Sequence, residues 1–314
     1  MVLFILKRLA VGIALVWVVL TLIFLAIHTV PGDPAYQLAG GDSGFTQEGI
    51  DRIREQLGLD RPVLEQYGSY LLGVLTGDLG QSFATGRSVS ASIALRLPVT
   101  LELIAIAAVV SVAIGIPLGA RAGRRPGAFD SAASVYTSIA LAVPVYVIGA
   151  VAVLLLSVTL RVLPAGGLPG WDDPVAHLRS LVLPVLTLAI GFSAVVARIT
   201  RGSVLETTSR DWVRTATAVG LRPGTVFRRH VLRNSLIPVV TVIGLEIGTF
   251  LGSSVIVERV FNIPGLSSLL IDGVTARDYP VVQGVVIVIA VFFVAINVVV
   301  DVVYGLLDPR VRIA

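Results

Sequence analysis

The sequence predicts an all-α integral membrane protein with six transmembrane helices and a partly helical extracytoplasmic segment between the first and second. Three observations carry this. Hydrophobic residues make up 55% of the 314 and charged residues only 14%, where ordinary globular proteins carry roughly 25% charged. So little charge cannot cover a water-facing surface, which excludes a soluble enzyme. The apolar content also excludes a disordered chain, and the 31 glycines lack the three-residue period of collagen. Next, six apolar stretches approach or exceed the roughly 20 residues that a hydrocarbon core about 30 Å thick requires. None of them alternates polar and apolar residues as the strands of a membrane barrel do, so the spans are helices.

The first span, Leu9–Ile27, follows Lys7 and Arg8 as a secretory signal would. It is longer than a typical signal core, and Pro31-Gly32-Asp33-Pro34 follows it in place of a cleavage site, so it is expected to stay in the chain. Residues 1–30 are assigned to this helix and residues 31–94 to the extracytoplasmic segment. There Thr46 is placed to cap a helix running to Leu57, with Gly58 as its stop. A second helix follows Pro62, with Tyr67, Tyr70, Leu71 and Leu72 at helical spacing; the segment reads as a packed cap on the bundle. Residues 95–308 hold the other five spans: Leu103–Ala120, Ser131–Leu160, Ser180–Ala197, Leu236–Val257 and Tyr279–Val300. Residues 309–314 form a cytoplasmic tail. Pro117 and Pro144 are expected to kink their helices, and the freed carbonyls then need partners.

Fifteen of the 24 basic residues fall on one side of these spans and nine on the other, while acidic residues lean the opposite way. Positive charge is retained on the cytoplasmic side, so both termini are expected there. The net charge is only +4, and basic loops beside a membrane account for it with no nucleic-acid partner. With no cysteine, the chain has no disulfide, thiolate zinc site or cysteine nucleophile. His28, His177 and His230 are too far apart for a local metal motif, and His28 reads as an interfacial residue. Lys7 is the only lysine, and it follows Phe4-Ile5-Leu6 where a phosphate-binding loop needs glycines. The chain is therefore not a P-loop ATPase.

The inner loop, residues 198–235, is the most informative stretch. Asp211 is placed to cap a short helix, Trp212–Val219, and Gly220 to end it. Pro223 suits the first turn of a further helix that carries Arg228, Arg229, His230 and Arg233 into the fifth span. The arginines alone need be no more than topology signals. Thr215, Ala216, Thr217, Ala218 and Gly220 add something else, because their low bulk suits a helix pressed into another protein's cleft.

In the fifth span Gly244, Gly248 and Gly252 recur every four residues, a ridge that lets another helix approach closely. At about 100° per residue, Val242, Glu246, Thr249 and Ser253 share a different face. A charge at mid-membrane costs roughly 2.5–3.5 kcal/mol on insertion scales. Glu246 therefore either lines a polar path or is held protonated or hydrogen-bonded between helices. Asn297, Asp301 and Tyr304 also share a face near the inner end of the sixth span, where solvation accounts for Asp301.

The inner loop reads Arg198-x-Thr200-Arg201-x-Ser203, Glu206, Asp211-Trp212-Val213-Arg214-Thr215-Ala216 and Gly220-Leu221, then Arg229-His230-x-Leu232-Arg233-Asn234-x-Leu236-Ile237-Pro238. This string resembles the inner-membrane permeases of ABC importers, in their dipeptide/oligopeptide/nickel branch. Their general motif places Glu, Ala and Ala where this chain has Arg214, Thr215 and Ala216, and it has a shorter stretch than Gly220 to Pro238. Both departures resemble the peptide branch itself. The likeness continues in order along the chain, through Gly77-Asp78-Leu79-Gly80, Thr100-Leu101-Glu102-Leu103, Val257-Glu258, Pro264-Gly265-Leu266 and Arg277-Asp278-Tyr279-Pro280.

The resemblance implies a type I ABC importer permease fold in a bacterial cytoplasmic (inner) membrane. It also implies a second related permease subunit, two ABC ATPase subunits and an extracytoplasmic solute-binding protein as partners, all in a bed of membrane lipid. ATP and Mg would be used by the ATPases, with no cofactor or metal bound by this chain. Asp211, Arg214, Thr215, Ala216, Gly220 and Arg222 would form the coupling contact, and Glu246, Thr249 and Ser253 are the candidates for the translocation pathway. A self-sufficient secondary transporter or channel would explain the spans and Glu246. It would not explain the small-residue loop, and it would usually be built as an internal repeat.

Overall fold

The apolar runs fold as helices, and proline and glycine decide where those helices bend, end or meet. A computed structural model describes residues 2–29, 47–56 and 60–307. Its helices are α1 (Val2–Thr29), α2 (Gln47–Gln56), α3 (Val63–Thr76), α4 (Val89–Arg124), α5 (Ala128–Ala142) and α6 (Val145–Ala152), the last continued by a π-helical stretch, Val153–Thr159. Then come α7 (Pro174–Thr208), α8 (Asp211–Ala218) and a turn, Pro223–Thr225, that continues through a second π-helical stretch, Val226–Leu232, into α9 (Arg233–Val260). The last two are α10 (Leu266–Thr275) and α11 (Tyr279–Leu307). The described residues hold no strand, only an isolated bridge between Gln81 and Ser88. Among the described residues, four helices are long and apolar enough to cross a membrane, and up to six spans result if each of two bent pairs counts as one.

The third expected span is one of those pairs. Helices α5 and α6 meet at 102°. Val143 is extended at φ −86°, ψ 124°, because the ring of the following proline disfavours the helical region for it. Pro144 therefore breaks its helix rather than merely bending it. Pro117 behaves differently: α4 runs through it without interruption. That helix begins at Val89, so the expected division between residues 94 and 95 falls inside it. The fourth span also runs longer than Ser180–Ala197, since α7 continues to Thr208 and takes up the first part of the inner loop. The expected cap Thr46 and stop Gly58 lie outside the described residues, as does the tail 309–314.

The chain divides into two compact units, one built mainly from residues 99–268 and the other mainly from residues 8–98 and 269–294. In the first, α7 is the central helix, with 72% of its most apolar stretch buried inside the protein. Asp173 caps its start by accepting from the Ala176 amide at 3.0 Å. Its neighbour α4 presents Gly115, Gly119 and Gly123 to it at every fourth position. A Cβ at Gly115 would lie 2.8 Å from the Ser193 carbonyl oxygen, one at Gly123 2.8 Å from that of Arg201, and one at Gly119 would collide with that of Ala197. These are backbone atoms and cannot give way. Gly119→Val is therefore expected to force the helices apart at about 1–3 kcal/mol or more, read as a severalfold lower yield of monodisperse protein in detergent. Polar links tie the same unit: Arg201 forks onto Asp130, Tyr136 meets Ser193 at 2.7 Å, and Ser203 and Ser235 each donate to the other's carbonyl.

The second unit packs α3 against α1. Phe24 faces the rings of Tyr67 and Tyr70, and Thr21 shares a 2.7 Å hydrogen bond with the Tyr67 hydroxyl. Burial, with Tyr67 adding, pushes the Tyr70 phenol up to about 12. Asp278, 2% exposed, accepts from Ser82 Oγ at 2.5 Å and from the Phe83 and Ala84 amides at 3.1 Å, which fixes the 82–84 turn on the start of α11.

Candidate functional site

Two features of the first unit bring together residues that the sequence marks: the helix α8 at one end, and a cavity where α9 meets the α5–α6 bend.

The position of α8 is set by one side chain. Val213 points inward and joins Val204 of α7 with Val226 and Val231 in a buried apolar cluster, against which Ala216, Phe227 and Leu232 also pack. Residues three apart share a helix face, so Ala216 follows Val213 inward. This corrects the expectation that Ala216 belongs to the outward surface. Outward lie Asp211, Trp212, Arg214, Thr215, Ala218 and Val219, all exposed. Asp211 is the first helical residue, not the cap. Arg210 holds the cap position in an extended conformation with no side-chain cap bond. The Asp211 carboxylate is 98% exposed and lies 3.8 Å from Arg214, a pair that contributes little in water.

The helix ends as Gly220 predicts. Gly220 has φ +85°, its amide donates to the Thr217 carbonyl at 3.0 Å, and the Leu221 amide reaches back to Ala216 at 3.3 Å. These two bonds form a Schellman motif, in which a left-handed residue closes the orphan carbonyls of the last turn. Arg222 then precedes the turn at Pro223 and accepts from the Thr225 and Val226 amides. The result is a short helix held rigidly from behind, with a free outer face carrying Val219 and Leu221 at 75% and 42% exposure.

The cavity, about 200 Å³, is lined by Glu246, Thr249 and Ser253 of α9, by Val143 at the bend, and by Thr187 and Phe192 of α7. The three pathway candidates thus share one space. Thr249 Oγ1 lies 2.8 Å from the carbonyl of Glu246 and 3.1 Å from its carboxylate, so the hydrogen bond to Glu246 stays within its own helix. The glycine ridge is uneven. A Cβ at Gly244 would collide with Val300, whereas one at Gly252 would meet no heavy atom within 4 Å.

Several buried polar contacts carry no simple sequence signal. Glu258, fully buried, accepts from Thr100 Oγ1 at 2.7 Å and from the Ser267 and Ser268 amides at 2.9 and 3.2 Å, at the start of α10. Thr100 in turn accepts from the Leu266 amide at 2.8 Å. His177 lies 3.1 Å from Glu102 and 2.7 Å from the Pro169 carbonyl, under the stacked ring of Trp171. The glycine ridge of α4 did have a signal, the repeated four-residue spacing of Gly115, Gly119 and Gly123.

Residues 115–313 match the family described as binding-protein-dependent transport system inner membrane component, and residues 1–104 match the N-terminal region described for the same kind of protein. The chain belongs to this family. It is 41% identical over 310 residues to a putative peptide transport system permease of Brucella abortus (strain 2308), covering 98% of both chains. It is 39% identical to a probable peptide ABC transporter permease of Sinorhizobium fredii, over 98% of this chain and 99% of that one. With a glutathione transport system permease of Escherichia coli O6:H1 the identity is 38%, again over 98% of both. A crystal structure of an amino acid ABC transporter shares the fold at a TM-score of 0.50 and 19% identity, over 70% of this chain and 94% of that one.

The permease is thus a multi-pass membrane component of an ABC transport system, from a family that does not carry the ATP-hydrolysing chemistry. This membership decides against a self-sufficient secondary transporter or channel.

Proposed function

We propose that this permease forms half of the translocation pathway of an ATP-driven importer for peptides or a related small solute. A second permease supplies the other half, two ABC ATPases dock beneath, and an extracytoplasmic binding protein delivers the solute. ATP and Mg act in the ATPases, and this chain supplies the path and the mechanical link. The observation that carries the reading is α8: a short helix anchored through Val213, closed at Gly220, and bare on its outer face. Force applied there passes directly to α7 and to the π-helical stretch that runs into α9, because the cluster behind it contains Val204 and Val231. Relatives named for peptide and glutathione transport, matched over nearly their whole length, support the solute class.

In this reading both termini and α8 lie on the cytoplasmic side of the inner membrane, and the loop before α7 lies outside. The chain has no cysteine, so single cysteines report cleanly. Asp172→Cys is expected to react with a membrane-impermeant maleimide in cells whose outer barrier has been opened, and Thr217→Cys to stay protected until the membrane is breached. The reversed pattern would overturn the orientation, and with it the ATPase contact.

A further inference from the structure

Glu246 is half-buried at the cavity, and few groups of this chain donate to its carboxylate. Its one partner among the described residues is the Thr249 hydroxyl, whose single hydrogen is shared between the Glu246 carbonyl at 2.8 Å and the carboxylate at 3.1 Å. No basic side chain among the described residues pairs with it. An ionised carboxylate left this way is costly in a membrane, so an additional cationic partner would stabilise it. Among the described residues, Glu246 is also the only charged one lining its cavity. The other polar groups there are the hydroxyls of Thr187, Thr249 and Ser253, and Phe192 and Phe250 close the wall at a ring separation of 4.7 Å.

Size and chemistry then restrict the guest. Pockets that hold a whole small molecule span about 300–1,000 Å³, so the share of the path that this chain lines, about 200 Å³, fits one end of a solute. Divalent metal ions require several oxygen ligands, and no group of three acidic or histidine side chains suited to a metal exists among the described residues. One carboxylate, a few hydroxyls and an apolar wall fit an organic ammonium with its adjoining carbon atoms.

We propose that the cavity between α9, α7 and the α5–α6 bend is a transit site for the ammonium end of the solute, with Glu246 as its counter-charge. The site deepens the permease reading and rests on it. Ser253→Cys places a thiol in the cavity wall of a chain that otherwise has none. In the assembled importer, its rates with the cationic 2-aminoethyl and the anionic 2-sulfonatoethyl methanethiosulfonates are compared, each divided by the rate with a free thiol. Coulomb attraction from the half-buried carboxylate is expected to favour the cation about tenfold. Adding Glu246→Asp should keep that preference, and adding Glu246→Gln should reduce it to within about twofold. An equal preference with and without the charge would overturn the proposal, as would failure of both reagents to react. Uptake by the wild-type complex is read in parallel, so failure of the cation site and failure of the permease reading appear separately.

Discussion

Gly220→Val is expected to cut solute uptake roughly 5–30-fold while leaving the chain inserted in the membrane. Gly220 sits at φ +85°, and a Cβ built there meets nothing within 4 Å. The effect is therefore conformational and involves no clash within this chain. A residue with a Cβ costs about 1–2 kcal/mol in the left-handed region, and a β-branched one is a clear outlier there. The backbone escapes that cost by giving up the bonds from Gly220 to Thr217 and from Leu221 to Ala216, which frays the end of α8. The helix behind is still pinned at Val213, but its outer face loses shape. Free energy of this size shifts a two-state equilibrium roughly 5–30-fold, enough to uncouple ATPase activity from loaded binding protein. Gly220→Asn, which tolerates the left-handed region, should retain most uptake, and Gly220→Ala should fall between. Uptake unchanged in Gly220→Val would leave the arginines of this loop as topology signals only.

Glu258→Ala is expected to have the largest effect on folding. Its carboxylate accepts from Thr100, Ser267 and Ser268, and all of these residues are buried. Each donor left without a partner costs about 1–3 kcal/mol, against a net stability of about 5–15 kcal/mol for a whole domain. The alanine variant should accumulate poorly and melt well below the wild type in a detergent thermal-shift assay. Glu258→Gln keeps one acceptor oxygen and should be intermediate. Gly265→Ala should also destabilise, because its Cβ would press on the same carboxylate. A melting temperature for Glu258→Ala within a degree of wild type would contradict the capping role.

The sequence made the helical class, the spans and the turn at Gly220 legible, because each rests on local chemistry: apolar length, proline, and one glycine with a left-handed backbone. The bend at Val143 was half visible. Pro144 announced it, but its size depends on how α6 packs against α7, which no single stretch encodes. The inner loop is shorter than its charge suggests because α7 keeps its helical pattern through Arg198, Arg201 and Glu206, polar residues that look like loop when counted as charge. The contacts of Glu258 with Thr100 and of Asp278 with Ser82 join residues more than 150 positions apart. No local rule pairs them, and only the packed fold does. Ala216 shows the same limit at short range, since composition marked it as low in bulk and only the position of Val213 decides which way it faces.

In the proposed importer, ATP hydrolysis reaches the spans through the outer face of α8. Ala218 is exposed on that face, and Ala218→Cys carrying a short cross-linker in the assembled, transporting complex tests the contact directly. The expected product joins this permease to an ABC ATPase subunit, identified by mass spectrometry of the linked peptides, with uptake lost on cross-linking. A complex that contains its ATPases and transports solute, yet yields no ATPase adduct from Ala218, would contradict the account.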